Sequence, residues 1–279
     1  MAINLASKFE KKTSEALSVG RKTKLVTNQN WSWDGVNAIN VYTLTDPTMG
    51  NYDPNGGASR YGEATEVEDT VQTFTLSRDR AWTKTIDKSN YQDTMMVRKP
   101  GKYLAQATKN VTIPEIDTYI IAAIVTAGEA ASRDDIVADA ATSSSNAYTN
   151  FLDINADISD NEAPMEGRVA LLTPDYVSKL KQAINSYGTS DLSVKDRKSG
   201  VLAILDGVKL VEVPSSRMPA NTDLVITHPD VCVAPEKLID YTLHKNPVGV
   251  SGDVLEYRHR YDAFIDTNKV NCVGIHKTA

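Results

Sequence analysis

The sequence predicts an α+β fold, and three observations carry the prediction. A helix with a wide apolar stripe runs from Thr112 to Ser132. Two stretches that alternate with period two, Trp31 to Leu44 and Val71 to Asp87, flank a segment dense in turn residues. Beyond residue 145, short buried strands and amphipathic helices follow one another. No internal repeat and no low-complexity segment interrupts this order.

The helix organises the rest. Pro114 sits where a first-turn proline costs no hydrogen bond, and Glu115 and Asp117 put negative charge at the positive end of the helix dipole. Ile116, Ile120, Ile124 and Ala127 recur at helical spacing, widened by Ile121 and Val125, so roughly half the circumference is apolar. Its alanines allow close approach of neighbours, which predicts a buried spine. The apolar run, about 15 residues, falls short of the roughly 20 that cross a bilayer, so no membrane partner is expected.

Residues 1–30 carry sparse apolar positions (Ile3, Leu5, Phe9, Leu17) and read as an arm that either dangles or lies on something else. Strand alternation follows to Leu44, and a longer strand from Val71 to Asp87 shows Phe74, Leu76, Arg78, Arg80, Trp82, Lys84 and Ile86 on one face. Between them lie Pro47, Gly50, Asp53, Pro54, Asn55, Gly56, Gly57 and Gly62. These parts make a hairpin arm too poor in apolar surface to hold itself, since isolated two-stranded ribbons are marginal in water. Tyr52, Arg60, Tyr61, Phe74, Arg78, Arg80 and Trp82 supply the aromatic and guanidinium groups favoured at protein interfaces, which marks them as candidate subunit-interface residues.

Asn90 to Lys109 reads as helical but broken at Pro100-Gly101. In the second lobe, Asn146 to Ile158 is a helix, Arg168 to Leu172 a buried strand, and Thr173-Pro174-Asp175 opens another helix. The polar loop from Tyr187 to Gly200 adds Asp191, Asp196, Arg197 and Lys198 as candidate interface residues. Leu205-Asp206-Gly207 signals a hairpin. Strands follow at Leu224 to Thr227 and Val231 to Ala234, then a helix from Pro235 to Leu243, and two final alternating runs return to the first lobe.

Composition excludes several functions. The 279 residues carry a net charge of −6 without a basic block, so nucleic acid is not gripped strongly. No secretory signal opens the chain. Cys232 and Cys272 lie in apolar runs and read as buried free thiols. The four histidines have no metal-ligand spacing, and no phosphate-binding glycine loop or nucleophile elbow occurs. The carboxylate pairs Asp153/Asp157 and Glu66/Glu68 read as solvated faces, and Ser215, His228 and Asp230 form no supported triad. The expectation is no catalytic residue, no cofactor and no metal; the chain is not an enzyme.

The order of parts, with the strings Ser59-Arg-Tyr-Gly62, Thr75-Leu-Ser-Arg-Asp-Arg80, Ile113-Pro-Glu-Ile-Asp117, Leu205-Asp-Gly207, Val213-Pro-Ser-Ser-Arg-Met-Pro219 and Tyr261-Asp-Ala263, resembles the major capsid proteins of tailed bacteriophages, the Hong Kong 97 fold. The resemblance implies an N-terminal arm at 1–30, an E-loop hairpin at 31–89, a P-domain with the spine helix at 90–144, an α/β A-domain at 145–245, and C-terminal strands, 246–279, returning to the P-domain. It implies self-assembly as pentamers and hexamers into an icosahedral shell around a double-stranded DNA genome that the subunit meets only through weak, non-specific proximity. A separate scaffolding protein and a portal protein are the further partners, and the virion, assembled in the host cytoplasm, is the location. An encapsulin-like nanocompartment shell is the alternative on the same fold. A soluble enzyme using the α/β lobe is the alternative of a different class.

Overall fold

A computed structural model describes residues 20–28, 38–44, 46–55, 57, 60–62, 66–89, 100–131, 137–139, 141–186 and 201–278. The spine is longer than its sequence signature. Helix α1 (Pro100–Ala107) runs through a π-helical turn (Thr108–Thr112) into α2 (Ile113–Ala130). Pro100, read above as a break, opens the rod instead, because a helix start has no use for its missing N–H. Pro114 is then interior. It has no N–H to give and its ring crowds the carbonyl four residues back, and the wide turn just before it absorbs both problems. Ile116, Ile120, Ile121, Ile124 and Val125 are buried in the main core. Residues 100–130 are long and apolar enough to span a membrane by length and composition alone, but these isoleucines are already packed inside the protein.

Around the spine stands a lobe built on a six-stranded mixed sheet. Its strands are β4 (Val137–Asp139), β5 (Val169–Leu172), β6 (Val201–Leu205), β7 (Val208–Glu212), β8 (Thr222–Thr227) and β13 (Gly274–Lys277), in the order β4-β13-β8-β5-β7-β6. Every residue of β5 and β8 is buried, as continuous apolar runs demand. Asp206 and Gly207 both take positive φ (50° and 77°), the conformation a two-residue hairpin turn requires. Helices α3 (Ala147–Asp160) and α4 (Pro174–Ser186) complete the lobe. Arg168 is buried at the C-terminal end of α3 without a carboxylate partner among the described residues. Its guanidinium donates to the carbonyls of Asn155, Ala163 and Pro164 and to the Asn155 and Ser159 side chains at 2.6–3.0 Å, a cation on the negative end of the helix.

The C-terminal strand β13 threads between α2 and α3, and two glycines permit it. A Cβ on Gly128 would come within 2.7 Å of Ile275, and one on Gly274 within 2.4 Å of Ile154. The chain end thus packs beside the spine, and β13 joins the six-stranded sheet.

A second sheet has three antiparallel strands in the order β10-β11-β3: β3 (Asp79–Asp87), β10 (Glu236–Lys245) and β11 (Gly252–Tyr261). The helix expected at Pro235 to Leu243 is therefore strand β10. Pro235 gives its carbonyl to the Asp262 N–H instead of opening a helix, and Ile239, Tyr241 and Leu243 alternate against β11. The long strand expected over 71–87 is two strands. Strand β2 (Asp69–Thr75) pairs with β1 (Ala38–Leu44) as the ribbon, while β3 belongs to the body. Leu76, buried between them, and Ser77, held by Asp262, turn the chain from one sheet to the other.

The end of the arm is fastened. Asp117 on the spine is fully buried and accepts from the Lys22 and Thr23 N–H groups, the Thr23 hydroxyl and Arg217 at 2.7–3.2 Å. Both cysteines are buried free thiols. Residues 1–19 of the expected arm lie outside the described residues.

Candidate functional site

The candidate site is the ribbon, which divides into a root and a tip. At the root, Phe74 and Leu76 turn inward against Phe264, which belongs to the short strand β12 (Phe264–Ile265), paired with β9 (Cys232–Val233); the two phenyl rings stack with centroids 4.9 Å apart. Polar links back this small cluster. The Gln72 amide donates to the Ile265 carbonyl (3.1 Å), and the Asn268 amide to the Thr43 hydroxyl (2.9 Å).

Asp262 is the hub of the root. It accepts from the Ser77 N–H (2.8 Å) and hydroxyl (2.9 Å), the Tyr119 hydroxyl (2.6 Å) and the Ala263 N–H (2.9 Å). Burial opposes its ionisation, but these donors outweigh burial and hold the carboxyl below the usual carboxylate range. Burial and the same bond to Asp262 push the Tyr119 hydroxyl up to about 12.

Beside it, Glu115 takes two arginines at once, Arg78 at 2.8 Å and Arg80 at 2.6 Å. Burial again works against the charge, and the two guanidinium groups again win, so the Glu115 carboxyl is held low. Arg78 also donates to the Tyr261 hydroxyl (3.0 Å) and lies over the Tyr119 ring, 4.2 Å from its centroid. Trp82 stacks on Tyr257 (5.5 Å) and meets Tyr103 edge-on (6.0 Å).

The tip is different. Tyr61 is 91% exposed, Met49 96% and Tyr52 50%, and Val67, Leu44, Tyr42 and Val71 are exposed with them. What order it has is local. The Asp53 N–H donates to the Arg60 carbonyl (3.1 Å), the Asn55 N–H to the Asp53 carboxylate (2.9 Å), and Tyr52 meets Tyr61 edge-to-face at 5.0 Å. Asp46, Asp53, Glu66, Glu68 and Asp69 make the tip acidic and all are exposed.

The structure thus sorts the residues singled out in sequence. Tyr52, Arg60 and Tyr61 come together at the exposed tip. Phe74, Arg78, Arg80 and Trp82 have partners within their own chain and form the root. Asp191, Asp196, Arg197 and Lys198 lie outside the described residues. Sequence reasoning missed Asp262, Tyr119 and Phe264; the string Tyr261-Asp-Ala263 drew notice without a role, and nothing local foretold that it would meet residues 74–78. His228, considered for a triad, accepts from the Asp230 N–H at 3.2 Å in a tight local turn. Among the described residues, no group of three or more His, Cys, Asp or Glu is placed to hold a metal ion.

This arrangement of spine, two sheets and projecting ribbon is shared with solved phage structures. A structure of Mycobacterium phage Che8 matches with a TM-score of 0.70 at 14% identity, over 98% of this chain and 96% of that one. The capsid structure of the cyanophage P-SCSP1u matches with a TM-score of 0.76 at 10% identity, over 98% and 93% of the two chains. The chain has a phage-capsid fold. The asymmetric unit of the bacteriophage PhiM1 mature capsid gives 0.71 at 13% identity over 98% and 92%. No known family profile matches the sequence, and no curated protein does. The phage-capsid fold is therefore preserved here in the packing of elements at identities too low to carry it in the residues.

Proposed function

We propose that this chain is the major capsid protein of a tailed double-stranded DNA phage, a structural protein rather than an enzyme. Its part would be to build the icosahedral shell as pentamers and hexamers, with the virion as its place and the host cytoplasm as the site of assembly. In the Hong Kong 97 layout, the β1–β2 ribbon would be the E-loop, the spine with the β10-β11-β3 sheet the P-domain, and the six-stranded lobe the A-domain. The observation that carries this reading is the division of the ribbon. A root clamped by Phe264, Asp262 and Glu115 aims the ribbon, and a tip with Met49, Tyr52 and Tyr61 exposed has no core of its own among the described residues. A neighbouring subunit supplies the missing burial, at the scale usual for permanent interfaces.

A separate scaffolding protein and a portal protein are the further partners of this reading, and the genome lies near a wall of net charge −6 that does not grip it. The test is deletion of residues 48–68. The shortened subunit is expected to fold, with melting close to that of the intact chain, and to form no shells by negative-stain microscopy. Normal particles from it would refute the role of the tip.

A further inference from the structure

The three-stranded sheet has two outer edges, and they are guarded differently. Strand β3 alternates Arg80, Trp82 and Lys84 on the face toward the spine, and charges so placed discourage a further strand from adding to it. Strand β10, ten residues long, carries on that same face Ile239, Tyr241 and Leu243, opposite the buried His259, Tyr257 and Leu255 of β11. The spine covers β11 and leaves β10 uncovered, so all three stay exposed, Tyr241 to 65%. Among the described residues no strand pairs with the outer edge of β10. From residue 239 to 243 it has no lysine, proline, glycine or register shift, the usual means of blunting an edge.

The backbone of that edge is turned outward. In an antiparallel ladder, residues bonded to the partner strand alternate with residues that are not. The Asn246 N–H donates to the Gly252 carbonyl at 2.9 Å, and the register runs without a shift from Lys245 to Leu238, so Ile239, Tyr241 and Leu243 point their N–H and C=O groups away from β11. A second β10 fits this edge. Laid antiparallel with Thr242 against Thr242, it sets Tyr241 opposite Leu243 and Asp240 opposite His244, each pairing occurring twice by symmetry. Outward-turned backbone groups then meet one another, apolar side chains meet apolar ones, and a carboxylate meets a basic ring. The adjacent registers are poorer. Centring on Tyr241 puts Asp240 opposite Thr242 and loses the basic ring, and centring on Asp240 sets two carboxylates face to face.

We infer that β10 is a contact between copies of this chain, in which two subunits pair their β10 edges about a two-fold axis and join their three-stranded sheets into one. This contact goes beyond the one proposed for the ribbon tip and uses none of its residues. With strands about 4.8 Å apart, the two β11 strands and the spines over them stand about 14 Å from each other. Helices in direct contact lie about 8–10 Å apart, so a space is left between the spines. Ile239, Tyr241 and Leu243 of both copies fill it. The apolar stripe that its own spine leaves uncovered thus becomes the seam between two subunits. On the other face, Thr242 stands in an open hollow with Ala81, Thr83 and Asp240.

The two-fold axis makes Thr242 its own partner, and such a non-hydrogen-bonded pair brings Cα atoms to about 4.5 Å, within the span of a disulfide. Thr242→Cys in the full chain is therefore expected to give a covalent dimer on a non-reducing denaturing gel after mild oxidation, and the native thiols Cys232 and Cys272 are buried. Asp240→Cys, which the register sets opposite His244 and not opposite itself, should crosslink several-fold less. Combining it with His244→Cys should restore the dimer. Adding Tyr241→Lys to Thr242→Cys puts an ammonium group at the seam and should cut the dimer several-fold, with melting close to that of the parent because Tyr241 is exposed. No dimer from Thr242→Cys, equal crosslinking of Thr242→Cys and Asp240→Cys, or a dimer unmoved by Tyr241→Lys overturns the pairing. Shells that form while Thr242→Cys stays uncrosslinked overturn this contact and leave the proposed function standing.

Discussion

The ribbon and the six-stranded lobe are both built of paired strands, yet they are held by different means. Seven residue pairs run down the β1–β2 ladder, which pairs each strand on one edge, whereas β5 and β8 are paired on both. Burial differs as well. Strands β5 and β8 are buried at every residue, whereas β2 buries only Phe74. Pairing alone contributes little net stability, because the same groups bond to water when unfolded; the apolar area makes the difference. The lobe carries its own reason to fold, and the ribbon borrows one at its root and lacks one at its tip.

The comparison can be broken most forcefully from the core side. Replacing Ile120 by Asp places an unpaired carboxylate among Ile116, Ile124 and the strands, at a cost of several kcal/mol. Soluble protein is expected to be lost on expression, and a soluble, cooperatively melting variant would contradict the packing described.

At the root, Phe74→Ala removes one half of the stacked pair and should cost about 3 kcal/mol. Here the loss is local. Amide exchange along β1 and β2 should speed up by about two orders of magnitude, while the lobe keeps its protection. Equal acceleration in β5 and β8 would mean that ribbon and lobe are one cooperative unit.

Acid should act on the root in a smaller way. The carboxyls of Asp262 and Glu115 are held low in the folded chain, so their contribution is complete above the unfolded range near about pH 4 and fades only as pH falls through the depressed folded values. Protection of the Ser77 amide should therefore drop below about pH 4, and Asp262→Asn should flatten that drop.

At the tip the expected effect on the subunit is smallest. Tyr61→Ala should change unfolding free energy by less than about 0.5 kcal/mol, since the ring is almost wholly exposed. Its cost should fall on assembly instead, seen as a higher protein concentration needed for particles by light scattering. A large loss of subunit stability would show that the tip rests on its own body.

Much of this organisation was legible in the residues, and the departures have identifiable causes. The spacing of Ile116, Ile120 and Ile124 marked the spine, and Asp206-Gly207 marked a hairpin, because both signals are local: a 3.6-residue period and a pair of left-handed residues. The poverty of the ribbon was legible for the same reason, as composition over a few residues. The helix expected after Pro235 became β10 because tertiary pairing with β11 overrode a local proline signal. The spine began early because a π turn took up Pro114, and no pattern of side chains announces such a turn.

The sequence alone determined which segments could carry their own core and which could not, since apolar periodicity and turn chemistry act between near neighbours. Only the tertiary structure decided that Arg78 and Arg80 face Glu115, that Asp262 holds Ser77, and that His259 lies beside Glu236. The hydrogen bonds, ion pairs and burial that fix those meetings join groups up to 185 residues apart, and chain order carries no record of which distant partner will be met.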